Sequence, residues 1–413
     1  MLSLKRALDA GGPICIEMPT GTGKTVSLLA LITSYQIWKP ETGKLIYCCR
    51  TVGEVSKTIE ELRGVLSYRD KELGLNAPST LALALSARRN LCVHPTASIL
   101  TTRESVDSAC RNMTAPWKRD QGLKGDTGIT LCDFYEGFER ERNEVTLKGV
   151  FSLEDIKEYG KQKGICPYFL ARQVITTANI IVYSYQYLLN PRISDLVSKE
   201  LKENSIVVFD EAHNIDDVCI EALSIQIDKR TMEGGLRNVS QLESMVSETK
   251  RKDAQRLNEE FQRLLRGVQV QSNLINDLSI PSPVPTIGES AAKEALPEEI
   301  QKADKFMSHL RSFVEFLGST LRTQNVTSAL TSTFLKAVLD TTQLDHKILK
   351  FFTTRLNSLL RTLEITNIDQ FTSVNIICDF ATLLASYTEG FRVIYEPYDD
   401  RTPHVPDPLL QLA

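Results

Sequence analysis

Nine residues, Glu17-Met18-Pro19-Thr20-Gly21-Thr22-Gly23-Lys24-Thr25, constrain this chain more than any other stretch. They follow a short apolar run, Ile14-Cys15-Ile16, that reads as a buried strand. They precede a helical pattern from Val26 to Gln36. Strand, glycine-bearing loop, Lys-Thr and helix, in that order, describe a phosphate-binding P-loop. Gly21 and Gly23 tolerate the positive φ that turns backbone N–H groups, Thr22 N–H among them, toward phosphate oxygens. Lys24 supplies a compact cation for the β/γ-phosphates of ATP, and Thr25 a hydroxyl for Mg²⁺. The start of the following helix adds partial positive charge. The usual pattern has glycine where Met18 stands, and Pro19 instead stiffens the entry. The competing reading is a turn that happens to contain Gly-Lys-Thr; the strand–loop–helix context argues against it.

At 413 residues the chain is too long for one ordinary core, so two or three domains are expected. No run of about eighteen apolar residues occurs, so no membrane-spanning helix is expected. The start, MLSLKRALDAGG, resembles the tail of a helix and lacks the apolar core of a secretory signal. A net charge of −4 gives no global signature of nucleic-acid binding, which would have to rest on local basic patches.

Apolar runs at Leu45–Cys49, Leu81–Leu85, Ile180–Tyr183 and Ile206–Phe209 alternate with helical stretches such as Val55–Leu66. Continuous apolar strands of this kind belong to a parallel sheet covered on both faces. Two long stretches interrupt the rhythm. Residues 88–165 are polar, loop-rich and cysteine-bearing. Residues 220–395 are strongly helical, with Leu257, Phe261, Leu264, Leu265 and Val268 on one face and Val374, Ile377, Ala381 and Leu384 on another. Ile280–Pro285 reads as a loop between helical halves, and Phe391–Tyr395 as a strand.

The run Ile206–Phe209 leads straight into Asp210-Glu211-Ala212-His213. An acidic pair at the carboxyl end of a buried parallel strand lies where open α/β sheets bind ligands. In that setting Asp210 would hold Mg²⁺, Glu211 would orient the attacking water, and His213 would link the phosphate state to the rest of the protein. With the P-loop, this box resembles a superfamily 2 helicase. Tyr47–Thr51 resembles that family's next motif, in which Arg50 and Thr51 would contact a nucleic-acid backbone; a surface ion pair is the competing reading for Arg50.

Cys92, Cys110, Cys132 and Cys166 are separated by 17, 21 and 33 residues, unlike the close pairs of zinc fingers. They share one insertion with little apolar material, and small units of that kind often use a metal as a staple. Pro167 follows the last of them, as in iron–sulfur sites. Four thiolates suit either Zn²⁺ or a [4Fe–4S] cluster.

The segments Leu85–Cys92, Cys166–Arg172, Val182–Tyr185 and Asp399–Pro403 resemble the XPD family of iron–sulfur DNA helicases. The resemblance spans nearly the whole chain. It implies an α/β fold: a RecA-like P-loop parallel-sheet motor domain (1–87 and 166–219), an iron–sulfur cluster insertion (88–165) and a mostly helical Arch insertion (220–395). Residues 396–413 would return toward the motor domain. It further implies ATP, Mg²⁺ and a [4Fe–4S] cluster on Cys92, Cys110, Cys132 and Cys166. Single-stranded DNA would pass beside the motor and be unwound 5′→3′, in the nucleus, within the transcription and nucleotide excision repair factor TFIIH. The Arch would carry the subunit that anchors the kinase module.

Between Arg88 and Lys124 seven basic residues stand against three acidic ones, with Trp117 in that stretch and Phe134, Tyr135 and Tyr168 beyond it. Cations along a backbone and aromatics for stacking suit single strands. Arg88, Tyr168 and Arg172, flanking the outermost cysteines, are the leading strand contacts; packing around the cluster is the competing reading for the aromatics. The family's Gln-x-x-Gly-Arg-x-x-Arg pattern, which brings arginine fingers to the transferring phosphoryl group, is absent from the sequence. Two functions are therefore expected as alternatives: the first motor half of an ATP-dependent helicase, whose hydrolysis needs a second motor domain, or a non-catalytic module that binds nucleotide, DNA and partners. A zinc-stapled P-loop scaffold is a third.

Overall fold

A computed structural model of the chain describes residues 1–19, 21–74, 80–123, 128–142, 144–190, 204–265, 297–320, 326–396 and 409–412. Among them are two compact units. The first holds Met1–Cys110, Thr130–Leu189 and 204–218; the second holds Arg111–Ile129 and the residues from Cys219 onward.

The first unit is built on five parallel strands, β1 (Leu45–Cys49), β2 (Leu81–Ala84), β3 (Gly149–Phe151), β4 (Ile180–Ser184) and β5 (Ile206–Phe209), in the order β3-β2-β4-β1-β5. Every residue of β1 is buried, as expected for a central strand with helices on both faces. Helix α1 spans Leu2–Ala10, α2 Lys24–Trp38 and α3 Val52–Glu72. The start of α3 is a capping box. The Thr51 hydroxyl accepts from the Glu54 N–H (3.2 Å), and the Glu54 carboxylate accepts from the N–H groups of Thr51 (3.0 Å) and Arg50 (2.9 Å). Strand β3 lies inside the stretch expected to be loop-rich. Only three residues long, it is held from outside: Arg63 of α3 donates to the Val150 carbonyl (3.4 Å) and pairs with Asp155.

The segment Ile14–Ile16, expected as a buried strand, is not one. It carries no strand, and Ile14 and Ile16 are 41% and 39% exposed. Three apolar residues between Gly11-Gly12-Pro13 and Met18-Pro19 offer a short ladder that Pro13 cannot join as a donor. Correspondingly, β5 is the edge of the sheet, and its Val207 is exposed.

The second unit is mostly helical, as expected, but it also contains an antiparallel sheet. Strands β6 (Ile225–Asp228), β7 (Thr327–Leu330), β8 (Arg392–Glu396) and β9 (Leu409–Leu412) run in the order β6-β9-β8-β7. Residues 409–412, expected to return to the motor domain, instead pair with β6 and β8 in this second unit. Helices Lys229–Lys252, Ala303–Thr320 and Thr372–Ser386 supply the core, in which Val374, Ile377, Ala381 and Leu384 are buried. Leu264 is buried as its face predicts; Val268, the Ile280–Pro285 loop and Asp399–Pro403 lie outside the described residues. Among the described residues no helix is long and apolar enough to cross a membrane.

Candidate functional site

The P-loop and the acidic box meet at the carboxyl end of β1 and β5. Gly21 (φ 80°) and Gly23 (φ 74°) both take the left-handed backbone that a side chain disfavours. Gly23 caps α2, so Lys24 and Thr25 open that helix. Thr22 donates its hydroxyl to the Pro19 carbonyl (2.7 Å), closing the loop on itself. The Lys24 ammonium pairs with Glu211 across 187 positions of sequence. That contact holds Lys24 above, and Glu211 below, its ordinary pKa. Glu211 is itself in the left-handed region (φ 53°), an uncommon conformation for a residue with a side chain and one found at functional sites. His213 Nδ1 lies 3.5 Å from the other oxygen of Glu211, and the Glu211 carbonyl accepts from Asn214 Nδ2 at 3.1 Å. Asp210 continues the β1–β5 ladder, its N–H donating to the Cys48 carbonyl at 3.0 Å.

The donor set suits the groups that the sequence implies. Thr25 and Asp210 are hard oxygen donors of the type Mg²⁺ takes. Beneath them lies Tyr47, fully buried and with its hydroxyl unpartnered. Lys24 and the turned amides of the loop suit phosphate oxygens. The pairing of Lys24 with Glu211 means that an incoming phosphate competes with a carboxylate for the same cation.

The four cysteines all lie in the first unit. Cys110 and Cys132 are buried, Cys92 and Cys166 partly so. Burial, and after it the charges of Cys110 and Cys92, push the Cys132 thiol up to about 11. Burial raises Cys166 and Cys92 as well, and both also feel Cys110. Among the described residues no three Cys, His, Asp or Glu side chains gather closely enough for a single metal ion. Four thiols in one unit are the donor type that either a zinc ion or an iron–sulfur cluster takes.

Backbone contacts fix this arrangement. Cys132 caps the helix Asp133–Glu141, Cys166 caps Pro167–Val174, and the Cys166 N–H donates to the Phe134 carbonyl (2.7 Å). A Cβ on Gly137 would lie 2.0 Å from the Gly164 carbonyl oxygen. Gly137→Ala is therefore expected to destabilise the first unit by about 1–3 kcal/mol through overpacking, read by urea unfolding. Unchanged stability would show that the 164–166 segment yields without cost.

The strand-contact candidates fall into two groups. Arg50 and Thr51 are exposed at the end of β1, although the Thr51 oxygen already serves as the cap of α3; Arg172 is half-buried. Arg88 and Tyr168 are interior, at 6% and 7% exposure. The Arg88 guanidinium bonds Asp107 at 3.0 Å and stacks 4.6 Å from the Tyr168 ring centre, while Arg172 donates to the Tyr168 hydroxyl (2.6 Å). Tyr135 and Phe169 pack at 4.7 Å in the same aromatic cluster. Buried this way, Arg88 and Tyr168 are turned from the solvent, and the Asp107 carboxylate meets the buried guanidinium. Lys124 lies outside the described residues. Thr51-x-x-Glu54 is legible in the sequence as a capping box, whereas the depth of Tyr47, at the start of the Tyr47–Thr51 motif, carries no local signal.

The DEAD_2 family model matches residues 47–232, and the helical and beta-bridge domain model matches residues 245–390. Each match covers less than half of the chain, one on either side of residues 233–244. The whole chain is 46% identical over 416 residues to the general transcription and DNA repair factor IIH helicase subunit XPD of Arabidopsis thaliana, covering 54% of that protein. Over 413 residues it is 44% identical to the subunit of the same name from Dictyostelium discoideum, covering 52% of it. Over 414 residues it is 42% identical to that of Schizosaccharomyces pombe, covering 53%. The chain spans about half the length of the curated relatives it matches.

Proposed function

We propose that this chain is the nucleotide-binding motor half of an ATP-dependent 5′→3′ DNA helicase of the TFIIH type, acting in the nucleus with the other subunits of that factor. The observation that carries the reading is the meeting of Lys24 with Glu211 beside two positive-φ glycines at the carboxyl end of a parallel sheet. Gly21, Thr22, Gly23 and Lys24 bind the phosphates of ATP. Thr25 and Asp210 hold Mg²⁺, which when bound neutralises phosphate charge. Glu211 orients the attacking water, and His213, in contact with Glu211, reports on it. Arginine fingers from a second motor surface complete hydrolysis, so the chain alone turns ATP over slowly.

Cys92, Cys110, Cys132 and Cys166 hold a [4Fe–4S] cluster, which when bound staples the insertion. Arg50, Thr51 and Arg172 contact the phosphate backbone of single-stranded DNA. Arg88 and Tyr168 act from behind that surface, between the cluster thiols and the strand. The helices of the second unit, the family's Arch, take the kinase-anchoring subunit.

Two titrations of the chain test the reading. A fluorescent ATP analogue is expected to bind saturably in Mg²⁺, and a fluorescent single strand to bind with affinity that falls as salt rises. Failure of both overturns it. Rapid turnover by the chain alone would overturn the need for a second surface. Cys110→Ser is expected to lose iron and visible absorption while keeping the nucleotide affinity; full iron content in that variant would show that Cys110 is not a ligand.

A further inference from the structure

The central strands carry three tyrosines that are fully buried and whose hydroxyls have no hydrogen-bond partner among the described residues: Tyr47, Tyr183 and Tyr185. A buried hydroxyl without a partner is unfavourable, and one aimed at a functional centre points to a task there.

Their surroundings differ. Side chains alternate along a strand, so Tyr47 and Cys49 share one face of β1 and Cys48 takes the other. The Cys49 sulfur lies 3.4 Å from the Thr58 hydroxyl of α3, so Tyr47 also faces the α3 side. In the parallel register Tyr47 lies opposite Val208, and Asp210, two residues further on, keeps the face of Val208. The Tyr47 hydroxyl meets the Asp210 carboxylate and the Thr25 hydroxyl, with no closed hydrogen bond to either. Toward an ionised carboxylate, which only accepts, a phenol hydroxyl acts as the donor. Tyr183 pairs in register with Cys48 and therefore occupies the opposite face. Tyr185 packs on Phe209 at 5.8 Å.

We propose that Tyr47 is a positioning residue of the nucleotide site: its hydroxyl donates to the Asp210 carboxylate and, lying against Thr25, sets the two oxygen ligands of the Mg²⁺–nucleotide complex in register. The inference rests on the nucleotide-site reading above. A neutral phenol suits the task. It orients a carboxylate without adding a positive charge that would compete with the cation, and outer-shell partners of this kind are typically worth 10–100-fold in metal affinity.

Tyr47→Phe tests the assignment, since it keeps the ring and removes only the hydroxyl. A fluorescent ATP analogue is titrated into the chain at a series of Mg²⁺ concentrations and again in EDTA. Tyr47→Phe is expected to raise the Mg²⁺ concentration for half-maximal binding about tenfold and to leave binding in EDTA unchanged. Tyr183→Phe, which removes an equally buried hydroxyl from the opposite face, is expected to change neither. A wild-type Mg²⁺ midpoint in Tyr47→Phe overturns the proposal. So does an equal loss in EDTA, because the hydroxyl would then be serving packing. If the wild-type chain binds nucleotide with no dependence on Mg²⁺, the nucleotide-site reading itself fails, a result that needs no variant and is read separately.

Discussion

Lys24→Ala is expected to weaken binding of Mg²⁺-ATP by about 10–100-fold, the scale of one lost charge-assisted hydrogen bond, and to lower any ATP hydrolysis by roughly 10²–10³-fold. The fold should hardly notice. Lys24 and Glu211 are partly exposed, with side-chain exposures of 25% and 42%. Substitution at such a surface pair changes stability by about 0.5 kcal/mol or less. What little the pair contributes has a definite pH dependence. Lys24 holds Glu211 below its ordinary pKa, so the contribution is present above the unfolded Glu value and is lost as pH falls through the lowered folded one. Nucleotide titration and a thermal melt on one preparation check both halves. Wild-type affinity in Lys24→Ala would remove the P-loop assignment.

Arg355→Ala is expected to destabilise the second unit by about 3–5 kcal/mol. The side chain is fully buried. Its guanidinium donates to the Ile300 carbonyl (2.8 Å), the Gln301 carbonyl (3.2 Å) and Glu260 (2.9 Å), and it lies 5.4 Å from the Phe306 ring centre. Ser358 also donates to Glu260, at 2.6 Å. Burial works against the Arg355 charge, and Glu260 supports it. Truncating Arg355 leaves the Glu260 carboxylate, 2% exposed, without its counter-ion, which is where the expected loss comes from. Replacing both, Arg355→Met with Glu260→Leu, should therefore recover most of the stability. Urea unfolding of the single and double variants decides the matter; a single variant that loses under 1 kcal/mol would mean that the unit relaxes to hydrate Glu260.

The geometry of the candidate nucleotide site was largely legible in the sequence because its determinants are local. Gly21 and Gly23 have positive φ, Lys24 and Thr25 open a helix, and Asp210-Glu211 ends a strand. Each follows from residue type and spacing within about ten positions. Strands β1, β2, β4 and β5 were legible for the same reason: uninterrupted apolar runs of four or five residues identify themselves. The miss at Ile14–Ile16 shows the limit of that signal, since three apolar residues hemmed by Pro13 and Pro19 fit a strand by composition and fail it by hydrogen bonding. Of the sheet of the second unit only β8 was legible, as the strand expected at Phe391–Tyr395, because its partners are remote. Ile225 pairs with Leu412, and Thr327 with Tyr395.

Arg88 makes the same point at the level of function. Arginine is rarely buried, so beside a basic stretch it reads as a surface cation. Asp107, nineteen residues away, and the Tyr168 ring draw it inward. Tyr47 was read only as part of a strand end. Its consequence arises from the register of β1 on β5, which sets a buried hydroxyl under Asp210.

By itself the sequence determined the glycine loop, the acidic box and the parallel sheet, because glycine conformation, charge and apolar runs act over a few neighbouring residues. Only the tertiary structure decided which cations are buried, which strands close the second sheet, and that Lys24 meets Glu211 above an unpartnered tyrosine. Those outcomes depend on desolvation and hydrogen bonding between segments far apart in the chain, and neither has a local signature.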